Sequence, residues 1–207
     1  MKTLLVNGSP HKGGCTFTAL NEVSKSLIKN GIECEIFHIG NDPVRGCSAC
    51  GRCKEIGRCV FDDDCANELA EKLIKADAMV IGSPVYYAGP NGALCALLDR
   101  VFYSRNKAVF AYKPAAAIMS CRRSGATATF DRLNKYFTIH NMFVVSSQYW
   151  NNVHGYVPKE VIQDLEGMQI MRQLGENMAY LMKMMENTKG AVEPSAFENR
   201  VSTNFMR

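Results

Sequence analysis

Short apolar segments with the length of buried strands alternate along this chain with segments that have helical periodicity. Continuous apolar runs at 78–82 and 115–119 are typical of strands covered on both faces of a parallel sheet. Further strands are predicted at 2–7, 32–39 and 142–146. This alternation predicts an α/β fold with a five-stranded parallel sheet, because right-handed crossovers place helices on both of its faces.

The predicted helices carry apolar side chains at three- and four-residue steps. They cover 15–29, 64–75, 92–102, 126–140 and 159–187, the last as one long helix or as a broken pair. A long connection at 40–62 separates the second strand from the second helix. We therefore predict one domain over 1–187 and a C-terminal tail at 188–207, in which Phe197, Val201 and Phe205 recur at four-residue spacing.

Composition excludes several classes of protein. Hydrophobic residues make up 47% of the 207 residues and charged residues 21%, as in ordinary globular domains, which excludes wholesale disorder. The net charge is +4, and the basic residues do not form a clustered run, so a nucleic-acid partner is not expected. No apolar run approaches the roughly 20 residues that span a bilayer, and no secretory leader is recognisable. A cytoplasmic location is expected, where the nine cysteines would stay reduced.

The segment between the first strand and the first helix has the composition of an anion-binding loop. It runs Gly8-Ser9-Pro10-His11-Lys12-Gly13-Gly14-Cys15-Thr16. A helix that begins there directs free N–H groups and a positive dipole end at an anion, and the loop adds two hydroxyls and two basic side chains. Neither a Walker A motif nor Gly-x-Gly-x-x-Gly is present. A monophosphate held without Mg²⁺ is the functional interpretation, and an ordinary strand-to-helix turn is the alternative.

The segment after the third strand could cover a planar ring. It runs from Gly82 to Gly92 and contains the adjacent residues Tyr86 and Tyr87. Tyrosines offer flat surfaces with polar tips. The carboxyl ends of parallel strands share one edge of a sheet, so this loop should lie beside the phosphate loop. The alternative is that both tyrosines pack on the domain surface.

These two loops together resemble the NAD(P)H-dependent FMN reductase family. The first contains Gly-Ser-Pro and then Gly-x-Thr, and the second contains Gly-Ser-Pro-Val-Tyr-Tyr-x-Gly with Leu-Asp-Arg downstream. The resemblance runs from Met1 to about residue 187. It implies a flavodoxin-like three-layer sandwich with strand order 2-1-3-4-5, FMN as the cofactor and NAD(P)H as the co-substrate.

The resemblance also implies which residues bind FMN. The cofactor-binding set, including neighbours in the first loop, is Ser9, His11, Gly14, Cys15, Thr16, Pro84, Val85, Tyr86, Tyr87, Gly89, Ser120, Arg122, Arg123 and Gly125. Position 15 departs from the family, where Asn or Ser is commoner, so Cys15 would contribute its backbone N–H. A cation near N1 stabilises reduced flavin. The sequence does not distinguish Arg122 from Arg123 in this role.

Four of the nine cysteines are clustered in the 40–62 connection: Cys47, Cys50, Cys53 and Cys59. This spacing resembles iron–sulfur ligation. It is also similar to the iron-sulfur flavoprotein subgroup of the family, which implies a 4Fe-4S cluster bound by all four thiolates. Zinc suits four cysteines as well, and metal-free reduced thiols are a third alternative. Four further cysteines are predicted to be small apolar residues packed in the interior: Cys34, Cys65, Cys95 and Cys121.

The C-terminal third offers one candidate for proton transfer. His154 lies in an aromatic segment that begins at Tyr149 and follows the predicted fifth strand. It could donate a proton during reduction of a quinone or nitro group, and a hydrogen-bonded structural histidine is the alternative. The methionine-rich helix at 159–187 is expected to pack in the core, and it would also suit a dimer interface. The family resemblance implies a homodimer or homotetramer.

Three functional hypotheses follow from these features. The first is an FMN-dependent oxidoreductase that takes hydride from NAD(P)H and reduces a small acceptor such as a quinone, a nitroaromatic or a flavin. The second is an iron-sulfur flavoprotein that carries electrons to or from a redox protein. The third is a zinc-clipped nucleotide-binding module without redox activity.

Overall fold

A computed structural model describes residues 1–198, 201 and 203 of the chain. Its strands are β1 (Lys2–Asn7), β2 (Glu33–His38), β3 (Ala78–Tyr86), β4 (Gly89–Pro90), β5 (Pro114–Cys121), β6 (Phe143–Val144) and β7 (Asn152–His154). Its helices are α1 (Cys15–Lys29), α2 (Cys53–Ile56), α3 (Ala66–Lys75), α4 (Gly92–Tyr103), α5 (Ala126–Ile139), α6 (Pro158–Gln163) and α7 (Leu165–Thr188), with a 3₁₀ turn at Lys107–Val109. The predicted alternation of strands and helices is confirmed.

The sheet has seven strands, so the predicted five-stranded sheet of order 2-1-3-4-5 is wrong. The main path is β2-β1-β3-β5-β6, and all of its pairings are parallel. Strand β4 pairs antiparallel with the end of β3, and β7 pairs parallel with β5. Both additional strands are short, which is why composition and periodicity did not reveal them.

The far edge of the sheet differs most from the prediction. In place of one strand at 142–146, two short strands lie along β5: β6 pairs with its beginning and β7 with its end. Val145 still donates its amide to the Ala115 carbonyl (2.8 Å), and the chain then leaves the sheet before the Asn151 carbonyl accepts from Met119 (2.9 Å). Strand β7 brings the following residues to the carboxyl edge of the sheet.

Two hydrophobic cores cover the two faces of the sheet, which makes the molecule a three-layer sandwich. One core joins the sheet to α3, α4 and α5 through side chains such as Leu69, Leu97 and Phe137. The other joins it to α1 and α7 through side chains such as Leu20 and Leu174. Strand β5, which has neighbours on both sides, is buried along its whole length, as its uninterrupted apolar run predicts.

The predicted C-terminal helix is a broken pair. Helix α6 ends at Gln163 and α7 begins at Leu165, with Asp164 between them. The Asp164 carboxylate accepts a hydrogen bond from the Gly167 amide (2.9 Å), which is the geometry of a helix N-cap. No helix among the described residues is long and apolar enough to cross a membrane.

The beginning of the predicted tail packs on the domain. The Tyr112 hydroxyl donates to the Ser195 carbonyl (3.0 Å), and the Tyr112 ring stacks on Phe197 with centroids 5.8 Å apart. The predicted four-residue repeat also includes Phe205, which lies outside the described residues.

Candidate functional site

A cleft of about 1070 Å³ lies at the carboxyl edge of the sheet. The loops that follow β1, β3 and β5 form its walls together with the chain that enters α6. Its lining consists of Ser9, Pro10, His11, Lys12, Gly13, Gly14, Cys15, Thr16, His38, Gly40, Asn41, Pro84, Val85, Tyr86, Ser120, Arg122, Gly155, Tyr156, Val157 and Pro158. The structure thus places ten of the fourteen predicted cofactor-binding residues around one cleft.

The conformation of the loop after β1 is fixed by hydrogen bonds to Asn7, the last residue of the strand. The buried Asn7 side chain donates to the carbonyls of His11 (3.4 Å) and Lys12 (3.2 Å) and accepts from the Ser9 amide (3.2 Å). The Ser9 hydroxyl oxygen in turn accepts from the His11 amide (3.1 Å). These bonds fix the curve of the loop and leave the Ser9 O–H proton free to reach a ligand.

Helix α1 begins at this loop with an N-terminus suited to an anion. Its N-cap residue, Gly14, supplies no side-chain cap, and the first turn has no acidic residue. The Thr18 amide makes the first helical bond, to the Gly14 carbonyl (3.0 Å), so the preceding amides have no partner within the helix. Unpaired N–H groups at the positive end of a helix dipole attract a phosphate.

Two buried hydroxyls at the cleft connect the first turn of α1 to the end of β5. The Thr16 and Ser120 hydroxyl oxygens are 2.8 Å apart, and both residues are at most 5% exposed. One hydrogen bond between two hydroxyls uses only one of their two protons. The other proton remains available to an anionic ligand in the cleft, which both residues line.

Strand β3 ends in a tight reversal, and its last three residues lie against the cleft. Pro84, Val85 and Tyr86 line it, whereas Tyr87 is fully exposed at the tip and Gly89 lies outside the lining. The backbone at Tyr87 is left-handed (φ 50°), which leads the chain into β4. The predicted pair of ring-facing tyrosines is therefore divided between the cleft wall and the solvent.

The reversal is tied to the neighbouring loops. The Asn91 side chain donates to the Gly8 carbonyl (2.8 Å), which links it to the first loop. Gly125 approaches it from the third loop with a φ of +93°, and a Cβ there would lie 2.7 Å from the Ala88 Cα. Gly125 thus lies behind the cleft wall rather than in its lining.

The loop after β5 distinguishes the two arginines. Arg122 lines the cleft, and Arg123 does not. Both are exposed. Arg122 is the residue of the pair that could place a cation beside a ligand in the cleft.

His154 lies outside the cleft lining. Its amide donates to the Asp164 carboxylate (2.6 Å), and its Nδ1 is 3.6 Å from the same oxygen. This geometry fits the structural alternative, in which the histidine belongs to the junction between β7 and α7. Its neighbours Gly155 and Tyr156 reach the cleft instead.

Several lining residues were not identified from the sequence. His38 ends β2, Gly40 and Asn41 follow it, and Tyr156 and Val157 precede α6. Strand β2 borders β1, so the end of β2 had to reach the same edge of the sheet, and that signal was available. Tyr156 could not be anticipated, because only strand β7 brings it there.

A second pocket lies under the connection after β2 and is lined by the four clustered cysteines together with Ser48, Gly51, Val60, Phe61, Arg100, Tyr103 and Ser104. Cys47 and Cys50 are exposed, and Cys53 and Cys59 are half-buried. Within the part of the chain that the structure describes, no three Cys, His, Asp or Glu side chains converge in a metal-binding arrangement. The fold brings the thiols to one pocket without closing them on a common centre.

Cys59 is the best held of these four residues. Its amide donates to the Asn67 side-chain oxygen (3.1 Å), and its carbonyl accepts from the Asn67 amide group (3.0 Å). Its Sγ accepts from Nε of Arg100 (3.3 Å), a side chain that is 1% exposed and paired with Asp64. Thiolates within reach of a buried cation suit a metal centre.

The cysteines predicted to be packing residues lie in less polar surroundings. Cys121 is buried, and Cys34, Cys65 and Cys95 are half-buried. Burial raises the pKa of each of these thiols above its ordinary value. Burial also raises the pKa of Cys15 in the first loop, which favours the neutral thiol there.

Another cavity, of about 490 Å³, lies at the opposite edge of the sheet between the end of α7 and the beginning of the tail. None of the predicted site residues lines it. The carboxyl-edge cleft therefore remains the candidate for the cofactor.

Comparison with known proteins places this geometry in context. Residues 1–156 match the model of the NADPH-dependent FMN reductase family. The chain is 30% identical over 197 residues to an iron-sulfur flavoprotein of Methanocaldococcus jannaschii, a match that covers 90% of this chain and 100% of the relative.

Solved structures show the same fold. RosB, solved with the bound intermediate 8-demethyl-8-formylriboflavin-5'-phosphate, superimposes with a TM-score of 0.75 at 17% identity, covering 100% of this chain and 93% of RosB. A flavodoxin from the domain Archaea gives a TM-score of 0.60 at 15% identity, covering 88% and 99% of the two chains. The flavodoxin-like architecture expected from the sequence is confirmed.

Proposed function

The chain belongs to the NADPH-dependent FMN reductase family, and from this premise we propose that it is an oxidoreductase that uses FMN to pass electrons from NAD(P)H to a small acceptor. One observation carries the proposal: the uncapped N-terminus of α1 opens into the same cleft that the end of β3 and the residues at the end of β5 line. An anion site adjoining a wide cleft between proline, valine and aromatic walls fits a phosphorylated planar cofactor.

The residues present fit FMN in two parts. The phosphate would be held by the N-terminal amides of α1 and by the hydroxyls of Ser9 and Thr16, with His11 and Lys12 nearby. The ring would lie against the wall formed by Pro84, Val85, Tyr86, Ser120 and Arg122. When bound, FMN supplies the exchange between hydride transfer and single-electron transfer.

The protein's own groups would position the cofactor and tune its electronics. Val85 and Tyr86 would exclude water from one part of the ring, and Tyr156 faces the cleft from the segment before α6. The Arg122 guanidinium would stabilise negative charge on the ring. None of these roles requires a nucleophile, and His154 lies outside the cleft lining.

The acceptor would be a small molecule such as a quinone, a nitroaromatic or a free flavin. We propose that it occupies, after NAD(P)⁺ leaves, the place that the nicotinamide occupied. The breadth of the cleft supports this alternation, because the cofactor and one flat ligand at a time can share a space of about 1070 Å³.

Anaerobic titration of FMN-loaded protein with NADH and with NADPH tests this function. We expect the flavin absorption band to bleach stoichiometrically with at least one of the two and to return when a quinone is added. FMN that binds but stays oxidised with both nucleotides would contradict the proposed reaction. Such a result would instead support an electron carrier that receives its electrons from another protein.

We further propose, as a second function of the same molecule, electron carriage through a 4Fe-4S cluster. The observation behind it is that all four clustered cysteines line one pocket, with Cys59 already held by Asn67 and Arg100. The four thiolates would ligate the cluster, which when bound supplies one-electron transfer. The relative from Methanocaldococcus jannaschii is named an iron-sulfur flavoprotein.

Iron and acid-labile sulfide assays on protein purified without oxygen test the cluster. We expect both in the wild type, their loss in Cys50→Ala, and their retention in the matched control Cys95→Ala, because Cys95 lies outside the pocket. Zinc in place of iron and sulfide would favour the zinc-clipped alternative. A metal-free protein whose visible absorption is that of FMN alone, with full NAD(P)H oxidation, would contradict the cluster and support the oxidoreductase function by itself.

We also propose that the protein is a homodimer or homotetramer. Exposed aromatic side chains near the cleft support this assembly: Tyr86 and Tyr156 line the cleft, and the neighbouring residues Tyr149 and Trp150 are each more than half exposed. A second copy of the chain would cover such side chains. Native mass measurement should give two or four chains, and a monomer at micromolar concentration would refute the proposal.

A further inference from the structure

We propose that Arg100 is a positioning residue for the segment 45–61, which carries the four clustered cysteines and is called the ligand loop below. Arg100 joins the two ends of this loop, and its hydrogen bond to Cys59 sets the reduction potential of the proposed cluster. This inference rests on the cluster proposed above. It concerns a side chain that lies in α4, outside the ligand loop itself.

The burial of Arg100 requires an explanation. Its side chain is 1% exposed, and its charge is balanced by the Asp64 carboxylate, which is 3% exposed. Removing two charges from water is costly, and a buried ion pair seldom repays that cost in stability. Such a pair is better explained by what it holds in place than by a contribution to folding.

What Arg100 holds is the ligand loop at its two ends. Its NH1 donates to the carbonyl of Arg45 (3.2 Å), and its NH2 donates to the carbonyl of Phe61 (3.0 Å). Arg45 lies two residues before Cys47, and Phe61 lies two residues after Cys59. One guanidinium therefore joins the entry and the exit of the segment that carries all four thiols.

Asp64 and Asn67 complete this frame. Asp64 accepts from the Arg45 amide (3.3 Å) and, through its other oxygen, from the Ala66 amide (3.0 Å) at the start of α3. The Asn67 side chain accepts from the Cys59 amide and donates to the carbonyls of Cys59 and Phe61 (3.2 Å for Phe61). Cys59 is thus attached to helix α3 by backbone hydrogen bonds.

The remaining nitrogen of Arg100 makes the contact with chemical consequences. Nε donates to Sγ of Cys59 at 3.3 Å, within the distance for a hydrogen bond to sulfur. A charged donor on a ligand sulfur stabilises the electron-rich, reduced state of a centre more than its oxidised state. Arg100 should therefore raise the reduction potential of a centre bound through Cys59.

Three variants separate this effect from general support of the loop. Arg100→Lys keeps the charge but loses the forked donors. Asp64→Asn removes the partner charge while leaving Nε and Sγ in place. Arg105→Lys is the matched control, because Arg105 supports the same loop through the Gly57 carbonyl (2.9 Å) and Glu71 without touching a sulfur.

The measurements are iron and sulfide content and the cluster midpoint potential, followed by its EPR signal in an anaerobic redox titration. We expect Arg100→Lys to lower the potential or to lose the cluster. Asp64→Asn should raise the potential, since a negative charge near the centre is lost. Arg105→Lys should match the wild type in both measurements.

The outcomes distinguish the two levels of inference. A wild type without iron and sulfide would overturn the cluster proposal and this inference with it. A loaded Arg100→Lys protein with the wild-type potential would overturn this inference alone. If Arg100→Lys does not fold, Arg100→Gln decides, because it removes the charged donor from Cys59. A potential below that of Arg105→Lys supports the role of Arg100, and an equal potential overturns it.

Discussion

At the scale of single residues, the hydroxyl pair of Thr16 and Ser120 connects helix α1 to strand β5. Thr16→Val keeps the shape of the side chain and removes its hydroxyl, so one charge-assisted bond to phosphate is lost. We expect FMN binding to weaken by about 1.5–3 kcal/mol, or roughly 10- to 100-fold in Kd. Quenching of FMN fluorescence measures this, with Thr16→Ser as the control that should bind like the wild type. Equal affinity in the valine variant would remove Thr16 from the phosphate site.

The two arginines after β5 offer a matched pair at the same scale. Arg122 lines the cleft and Arg123 does not. We expect Arg122→Ala to lower the flavin midpoint potential, because reduced FMN loses a stabilising cation, and to weaken its binding by about 0.2–1 kcal/mol, as is usual for an exposed charge. Arg123→Ala should leave both unchanged. Spectroelectrochemical titration compares them, and equal effects would argue against a local role for Arg122.

At the scale of elements, α1 and α7 pack so closely that a glycine is required between them. A Cβ at Gly175 in α7 would lie 2.5 Å from the Ser26 Cβ and 2.8 Å from the Val23 carbonyl oxygen of α1. Gly175→Ala should therefore destabilise the protein by about 1–3 kcal/mol, although alanine is the better helix former. In the control, Gly92→Ala, the added methyl meets open space, and we expect a change within about 1 kcal/mol. Urea unfolding measures both, and a more stable Gly175→Ala protein would show that the helices can separate without cost.

At the scale of the whole molecule, a buried histidine makes stability depend on pH. His140 is 6% exposed, its ring lies 4.7 Å from that of Phe102, and burial lowers its pKa below the ordinary value of 6.5. Below pH 6.5 the unfolded chain takes up a proton that the folded one resists, so the free energy of unfolding falls as the pH falls. The slope is at most about 1.4 kcal/mol per pH unit until the folded pKa is reached.

Urea unfolding from pH 8 to pH 5 tests this dependence. The stability of the wild type relative to His140→Gln should decline below pH 6.5 and stay constant above it. Thr138→Ala, an exposed position of helix α5 without a titrating group, serves as the control, and its curve should run parallel to that of the wild type. Parallel curves for the wild type and His140→Gln would show that the histidine titrates normally in the folded state.

Much of the architecture could be predicted from the sequence, because it depends on local periodicity. Helix α1 was predicted at its exact bounds, and the buried strands β3 and β5 were recognised by their uninterrupted apolar runs. The prediction failed at β6 and β7, where each strand has two or three residues and only pairing with β5 defines it. The sequence also did not decide whether the C-terminal helix breaks at Asp164. An aspartate acts as a helix cap only when its carboxylate reaches a free amide, here that of Gly167, and the sequence does not show this contact.

The site divides in the same way. Glycines and hydroxyls next to a strand identified a candidate phosphate loop, and cysteine spacing identified a candidate metal centre, because both depend on neighbours along the chain. The sequence alone determined the fold class, the two candidate cofactor loops and the set of four thiols. Only the tertiary structure decided that Arg122 rather than Arg123 lines the cleft, that His154 belongs to a structural junction, and that Arg100 reaches Cys59 from 41 residues away. The physical reason is that side-chain contacts between distant elements depend on how those elements pack, which local periodicity does not specify.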